Sequence, residues 1–330
     1  LHKEYRRQRQ MCIRDSYMSG LKILSTGYYA PQKVLDNFDL EKVVETSDEW
    51  IVSRTGIKRR HIAENESCVE LGYQAALKAV EKIDKSKIGL IICATMTPDY
   101  FTPSTACLIQ ERLGLNDQEV MCFDLNAACS GFVYALTVAQ ALLQNMEDKY
   151  ALVIGSEEIS KIMDFKDRNT CVLFGDGAGA LVVGNGDGIF ASYSNSAGNL
   201  EALKAPAISK SNQDHYLTMA GQEVFKFAIK VIPESINAIL EKTNLTLDEI
   251  DYVVCHQANY RIIKNVYKKM KSSEDKFYMN LQEYGNTSAA SIPLALGEMN
   301  EKGMLRPGDK IICVGFGGGL TWGATLMEWS

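Results

Sequence analysis

An α/β fold made of two similar halves is what the sequence predicts. Continuous apolar runs of strand length alternate with segments of helical spacing. Runs without a polar face belong to sheets covered on both sides. The order of these elements recurs after about 160 residues. With 330 residues, 46% hydrophobic and 23% charged, the chain has ample material for such a core.

In chain order, the first 17 residues differ from the rest, with five basic residues against two acidic ones. They read as a non-native or disordered extension ahead of a natural start at Met18, with an organellar leader as the alternative. The first half is expected over 18–186 and the second over 187–330. IGLIICATMTP (88–98) corresponds to IDYVVCHQAN (250–259), each an apolar strand ending in polar residues. VMCFDLNAACSG (120–131) corresponds to KFYMNLQEYGNTS (276–288), each a strand followed by a tight, small-residue turn into a helix. After Val120–Leu125 that helix starts near Ser130 and runs through Phe132, Val133, Leu136, Ala139, Leu142 and Leu143. YALVIGSEE (150–158) corresponds to DKIICVGFGGG (309–319), and GDGAGALVVG (175–184) to LTWGATLMEW (320–329).

Several function classes fall away. A net charge of −6 argues against general nucleic-acid binding. No apolar run approaches the roughly 18 residues of a membrane span. The nine cysteines include no CxxC pair, so neither a zinc site nor a redox pair is signalled, and a reducing, cytoplasmic setting fits. Cys93, Cys122, Cys255 and Cys313 lie in strand-like runs and are expected to be buried packing. FGDGAGA (174–180) lacks the layout of a dinucleotide fingerprint, and its glycines are expected to allow close strand–helix packing. No Walker motif or metal-ligand cluster is present.

Cys129 carries the chemical signal. In NAACSGF (126–132) it sits where a strand gives way to a helix, and a helix N-terminus favours thiolate. Its small neighbours Ala127, Ala128, Ser130 and Gly131 leave room for a substrate. Facing the two halves together brings Cys129, His256, Asn286 and the 317–319 glycines to equivalent strand ends. Each has a plain alternative: His256 as a structural donor, Asn286 as a turn residue, the glycines as a flexible loop. Together they form a nucleophile, two polar groups and backbone N–H donors for an oxyanion.

That set, with TSDEWIVSRTGIKRRHIA (46–63), FGDGAGA, HQAN (256–259), YGNTSAASIP (284–293) and GFGGGLTWGA (315–324), resembles the β-ketoacyl-acyl-carrier-protein synthase III family over residues 18–330. The resemblance implies a thiolase-like fold, two duplicated α/β halves layered α-β-α-β-α, in a homodimer. It implies initiation of fatty acid synthesis by decarboxylative Claisen condensation of a short acyl-CoA with malonyl-acyl-carrier protein, with no cofactor. Cys129 then corresponds to the acyl-carrying nucleophile, and His256 and Asn286 to the pair that hydrogen-bonds the malonyl thioester carbonyl. Gly318 corresponds to the glycine whose N–H joins that of Cys129 in the oxyanion hole.

By the same resemblance Trp50, Arg54, Arg168 and Asn259 hold CoA, an aromatic face and guanidinium groups suiting a base and phosphates. Phe101 corresponds to a residue that reaches the partner subunit's acyl pocket. Lys226, Gln257, Arg261, Lys264 and Lys268 are expected to contact the acidic carrier protein. Arg261, Lys264, Lys268 and Lys271 share one helical face, just past His256. The competing readings are a thiolase, for which Cys313 would be the second cysteine, a condensing enzyme of secondary metabolism, and a non-catalytic binding protein of the same fold.

Overall fold

The computed structural model describes residues 20–207 and 216–330, so the expected extension at 1–17 and the start at Met18 lie outside the described residues. The main elements of the first half are β1 (Gly20–Tyr29), α1 (Cys68–Val80), β2 (Ile88–Ala94), α2 (Thr105–Arg112), β3 (Met121–Leu125), α3 (Gly131–Leu143), β4 (Tyr150–Glu157) and β5 (Gly177–Gly186). The second half supplies β6 (Phe190–Ser196), α4 (Gly221–Thr243), β7 (Tyr252–Cys255), α5 (Tyr260–Lys269), α6 (Ser291–Glu301), β8 (Lys310–Gly317) and β9 (Thr321–Glu328).

The first sheet runs β1-β5-β4-β2-β3, and the second, read in the same sense, β6-β9-β8-β7. In each sheet the β4–β2 or β8–β7 pair is parallel and the remaining equivalent pairs are antiparallel. The strand expected at the start of 276–288 shrinks to a single bridge between Phe277 and Val253. The fifth place in the second sheet is therefore nearly vacant. The equivalence of β1 and β6 carries no sequence likeness and emerges only from topology.

Side-chain alternation builds the layers. Along β2, Leu90, Ile92 and Ala94 face a central core shared with α3, α6 and strands of both sheets. Ile91 and Cys93 face outward to α1 and α2. On the other side α4 and α5 cover the second sheet through Val231, Ile236, Ile263 and Val266. The result is the expected α-β-α-β-α stack, and β2, β4 and β8 are buried on both faces as their apolar runs required. The edge strand β3 is not, and Cys122 on it is only half-buried, contrary to expectation, because an edge has one uncovered flank.

The glycines of FGDGAGA lie on the seam between α6 and the first sheet. A Cβ on Gly179 would stand 2.3 Å from Leu294 N and 2.4 Å from Pro293 C. Those are backbone atoms of a buried helix and cannot step aside. Gly179→Ala is therefore expected to destabilise the protein by about 3 kcal/mol or more, read as a fall in unfolding midpoint. A wild-type midpoint would mean that the seam is looser than this packing.

One turn occurs twice. Ala128–Ser130 and Ser288–Ala290 are both short 3₁₀ turns that feed directly into α3 and α6. Ala128 has φ 45° and Ser288 φ 48°, the left-handed region that non-glycine residues seldom adopt. Asn126 Oδ1 accepts from Ala128 N at 3.1 Å, and Asn286 Oδ1 accepts from Ser288 N at 2.9 Å. The two copies place Cys129 and Ala289 at corresponding positions.

Candidate active site

Cys129 lies where two recesses meet. One, of about 420 Å³, is lined by Met96, Ala127, Ala128, Ser288 and Gly318 together with Cys129. The other, of about 80 Å³, is lined by Phe225, His256, Asn259, Asn286 and Gly317 with the same Cys129. The four groups that the duplicated strand ends were expected to unite thus surround one space. The small neighbours divide: Ala127 and Ala128 line the recess, whereas Ser130 and Gly131 are buried, Gly131 against Ala94 and Ala289.

The Cys129 thiol is held differently from the expectation. The α-helix begins two residues later, at Gly131, after the 3₁₀ turn. Burial pushes the thiol up to about 12; the Ser288 hydroxyl opposes that rise and the Glu157 carboxylate adds to it. The cost of burying an anion exceeds the pull of the helix end, so the resting group is the thiol and its proton must leave as the sulfur reacts.

The glycine hairpin closes tightly over this turn. A Cβ on Gly317 would lie 2.8 Å from Cys129 Cβ and 3.1 Å from its sulfur, so only glycine fits there. Gly318 lines the larger recess beside Ala128. Thr321 ties hairpin and turn together: its hydroxyl lies 2.9 Å from Ala127 O, 3.0 Å from Gly318 O and 3.1 Å from Ser130 Oγ. The sequence reading missed Thr321; its adjacency to the glycine run was the only signal.

His256 follows β7 and is buried, with its ring edge-on to Phe316 at 5.2 Å. Its Nδ1 lies 2.7 Å from Ser291 Oγ, which also accepts from Gln257 N at 3.3 Å. In the tautomer whose Nδ1 accepts the Ser291 proton, the ring proton resides on Nε2 and the imidazole presents a donor. Burial holds the ring down to about 3, against the pull of a Ser288 backbone bond, so it is neutral at physiological pH.

Asn286 is pinned by its backbone, whose N–H donates to Leu173 O at 2.8 Å and whose carbonyl accepts from Gly175 N at 3.0 Å. The buried Arg60 steadies that segment by donating to Val172 O at 2.8 Å. Gly285 precedes Asn286 with φ 67°, and a Cβ there would meet Leu173 O at 2.8 Å. Because Asn286 Oδ1 is taken by Ser288 N, the side chain has its Nδ2 donor left to offer.

The outlying residues separate into two groups. The guanidinium carbons of Arg54 and Arg168 lie 4.9 and 5.0 Å from the centre of the Trp50 ring. Asn259 caps α5 by accepting from Arg261 N at 2.8 Å and lines the smaller recess. Arg261 reaches Phe225 of α4 and, like Lys226, Lys268 and Lys271, is exposed; Lys264 is half-buried over Tyr260. Gln257 departs from its expected place on that carrier-protein surface. It is buried, its Nε2 donates to Cys255 O and Tyr278 O at 2.7 and 3.1 Å, and its Oε1 accepts from Asn280 N. An amide so fully engaged with backbone has nothing to offer a docking protein. Phe101 stands 77% exposed on the single chain. Cys313 is in the central core and lines neither recess. Among the described residues no cluster of three or more His, Cys, Asp or Glu side chains is arranged to hold a metal ion, and no helix is long and apolar enough to cross a membrane.

Residues 123–198 match the family described as 3-oxoacyl-(acyl-carrier-protein) synthase III, and residues 240–329 match the C-terminal part of the same synthase. A Clostridium acetobutylicum protein named β-ketoacyl-(acyl-carrier-protein) synthase III is 49% identical over 326 residues, covering 95% of this chain and 100% of that protein. The chain belongs to the β-ketoacyl-acyl-carrier-protein synthase III family. An Acholeplasma laidlawii synthase III is also 49% identical, over 310 residues, with 93% of this chain and 98% of that protein covered. The crystal structure of the Aquifex aeolicus synthase III superposes with a TM-score of 0.89 at 45% identity, covering 94% of this chain and 100% of that one. The priming β-ketosynthase of the R1128 polyketide pathway gives the same TM-score at 32% identity, with 95% and 97% covered. Synthase III membership fits the thiolase-like layering described above.

Proposed function

We infer that this protein initiates fatty acid biosynthesis as a condensing acyltransferase. It joins a short acyl-CoA, acetyl-CoA in the simplest case, to malonyl-acyl-carrier protein and releases CoA, CO2 and 3-oxoacyl-acyl-carrier protein. The observation that carries this reading is the meeting of Cys129, His256, Asn286 and the glycine hairpin around one recess.

Cys129 takes the acyl group from CoA as a thioester, and the N–H groups of Cys129 and Gly318 hold the oxyanion. Malonyl decarboxylation then leaves an enolate. Nε2–H of His256 and Nδ2 of Asn286 donate to its oxygen, and the carbanion attacks the acyl-cysteine. Loss of CO2 drives the step, and both substrates arrive as thioesters, so the chemistry calls for neither metal nor redox cofactor. Trp50, Arg54 and Arg168 bind the nucleotide end of CoA, and Asn259 lies along the pantetheine path. Lys226, Arg261, Lys264 and Lys268 form the basic patch that receives the acidic carrier protein.

A homodimer fits the uncovered flank of β3, and Phe101 then closes the partner's acyl pocket and favours a short primer. A cytoplasmic setting suits a reduced thiol nucleophile. Priming of a polyketide chain is the second reading, favoured by the 32% identical β-ketosynthase. Single-turnover reaction with labelled acetyl-CoA tests the central step: the label is expected on Cys129, and an unlabelled protein would refute the assignment.

Ser291 positions His256 in this scheme. Ser291→Ala is expected to slow malonyl decarboxylation about tenfold, the rate equivalent of one hydrogen bond of ~1.4 kcal/mol. Acyl loading of Cys129 should be unchanged and Ser291→Thr should restore most of the loss. Equal damage to both half-reactions would assign Ser291 a purely structural role.

A further inference from the structure

Glu157 ends β4 with no exposed surface. One carboxylate oxygen, Oε2, is fully used: Thr97 Oγ1 donates at 2.7 Å, Met96 N at 3.1 Å and Thr95 Oγ1 at 3.3 Å. The other, Oε1, is buried and makes no hydrogen bond. The Ser288 hydroxyl and the Ala289 amide lie close enough to favour the ionised carboxylate, short of hydrogen-bond geometry. An unpartnered buried carboxylate oxygen is costly unless it has work to do.

Ser288 connects this acid to the nucleophile. It lines the larger recess with Cys129, its hydroxyl favours the Cys129 thiolate, and its strained backbone fixes where that hydroxyl sits. Among the described residues the hydroxyl completes a hydrogen bond with Met96 Sδ at 3.8 Å, a weak acceptor that leaves it free to turn.

We propose that Glu157 is the proton acceptor for Cys129, reached through the Ser288 hydroxyl. This rests on the reading of Cys129 as the acyl-carrying nucleophile. As the sulfur bonds to the acyl carbon and the carbon–sulfur bond to CoA breaks, the thiol proton moves to Ser288 Oγ. The serine's own proton moves to Glu157 Oε1. The same shift in reverse returns a proton to the departing CoA thiolate, so no further reactant is needed.

Base strength favours this route over His256. Burial holds Glu157 up to about 7, whereas it holds His256 down to about 3. The imidazole is therefore the weaker base, and in the condensation step it is needed as a donor. The titratable groups facing Glu157 are Cys129 from its turn, Cys68 from α1 and Cys93 from β2; burial raises all three thiols and the Glu157 charge adds to each rise. They are neutral near pH 7, so Glu157 titrates there without a competing charge from them.

The test is single-turnover labelling of the full-length protein with labelled acetyl-CoA between pH 5.5 and 9, beside malonyl decarboxylation. Wild-type acylation should fall as pH drops through about 7, where Glu157 gains a proton. Glu157→Gln should lower acylation about 10²-fold at pH 8 and flatten that pH dependence, while slowing decarboxylation far less. A wild-type pH profile in Glu157→Gln, or equal loss of both half-reactions, overturns the proposal. If Glu157→Gln does not fold, Ser288→Ala decides: it leaves the Thr95, Met96 and Thr97 bonds intact, slowed acylation supports the relay and a wild-type rate overturns it. Absence of label from wild-type Cys129 would instead refute the nucleophile assignment, separating the two failures.

Discussion

Cys129→Ala is expected to abolish condensation, by at least on the order of 10⁴-fold, while malonyl decarboxylation persists. Among the described side chains that line the larger recess the Cys129 thiol is the intrinsically strong nucleophile, and the Ser288 and Thr321 hydroxyls there are far weaker. The backbone should tolerate the change, since Ala289 occupies the corresponding position of the second turn, which has the same 3₁₀ form and the same left-handed residue ahead of it. His256, Asn286 and the Gly317–Gly318 hairpin keep their partners, so a malonyl thioester still meets its two donors. Release of CO2 from malonyl-carrier protein without a 3-oxoacyl product is the expected signature. Continued condensation by the variant would remove Cys129 from the mechanism.

His256→Ala and Asn286→Ala are expected to act on the other half-reaction. Each removes a preorganised donor from a developing enolate, a loss of about 10²–10³ in decarboxylation rate, with Cys129 still acylated in a single turnover. The sign of the pH dependence follows from burial. His256 is held down to about 3, so it is already neutral at pH 6 and stays neutral at pH 8. Decarboxylation should show no inflection near the ordinary histidine value of about 6.5. Asn286→Asp is the sharper probe, because it keeps the shape but turns an acceptor toward a negative oxygen. It should be no better than the alanine variant. If both alanine variants failed only at acylation, the roles given to the pair would be wrong.

The sequence carried the parts of this site that depend on local pattern. The apolar runs of β2, β4 and β8 marked doubly covered strands, and their recurrence united Cys129, His256 and Asn286 before any coordinates. What it did not carry depends on enclosure. A thiol at a helix start reads as activated until burial in the seam reverses the direction. Gln257 reads as a surface residue beside a basic helix until its amide is seen bonded to Cys255, Tyr278 and Asn280. KFYMN has strand composition, yet among the described residues it makes one bridge, confined between the short helical turns Glu274–Lys276 and Leu281–Tyr284. Ser291, Thr321 and Glu157 sit in or beside recognisable motifs, but the contacts that define their roles reach partners 34 to 194 residues away, and no local spacing reports such contacts.

The paired turns bear on where reactivity comes from. Position 289 has the same unusual backbone ahead of it, the same asparagine clasp and a helix behind it, yet it holds an inert methyl group. Ala289 is 1% exposed, and its carbonyl faces Gly155 so closely that a Cβ there would stand 2.5 Å away. A sulfur installed at 289 would be walled in, with no path for a thioester to approach. The molecule thus owns two matching seats for a nucleophile and a doorway to only one of them. Its handedness as a catalyst, with one half giving the sulfur and the other the donors, is decided by access and not by main-chain shape.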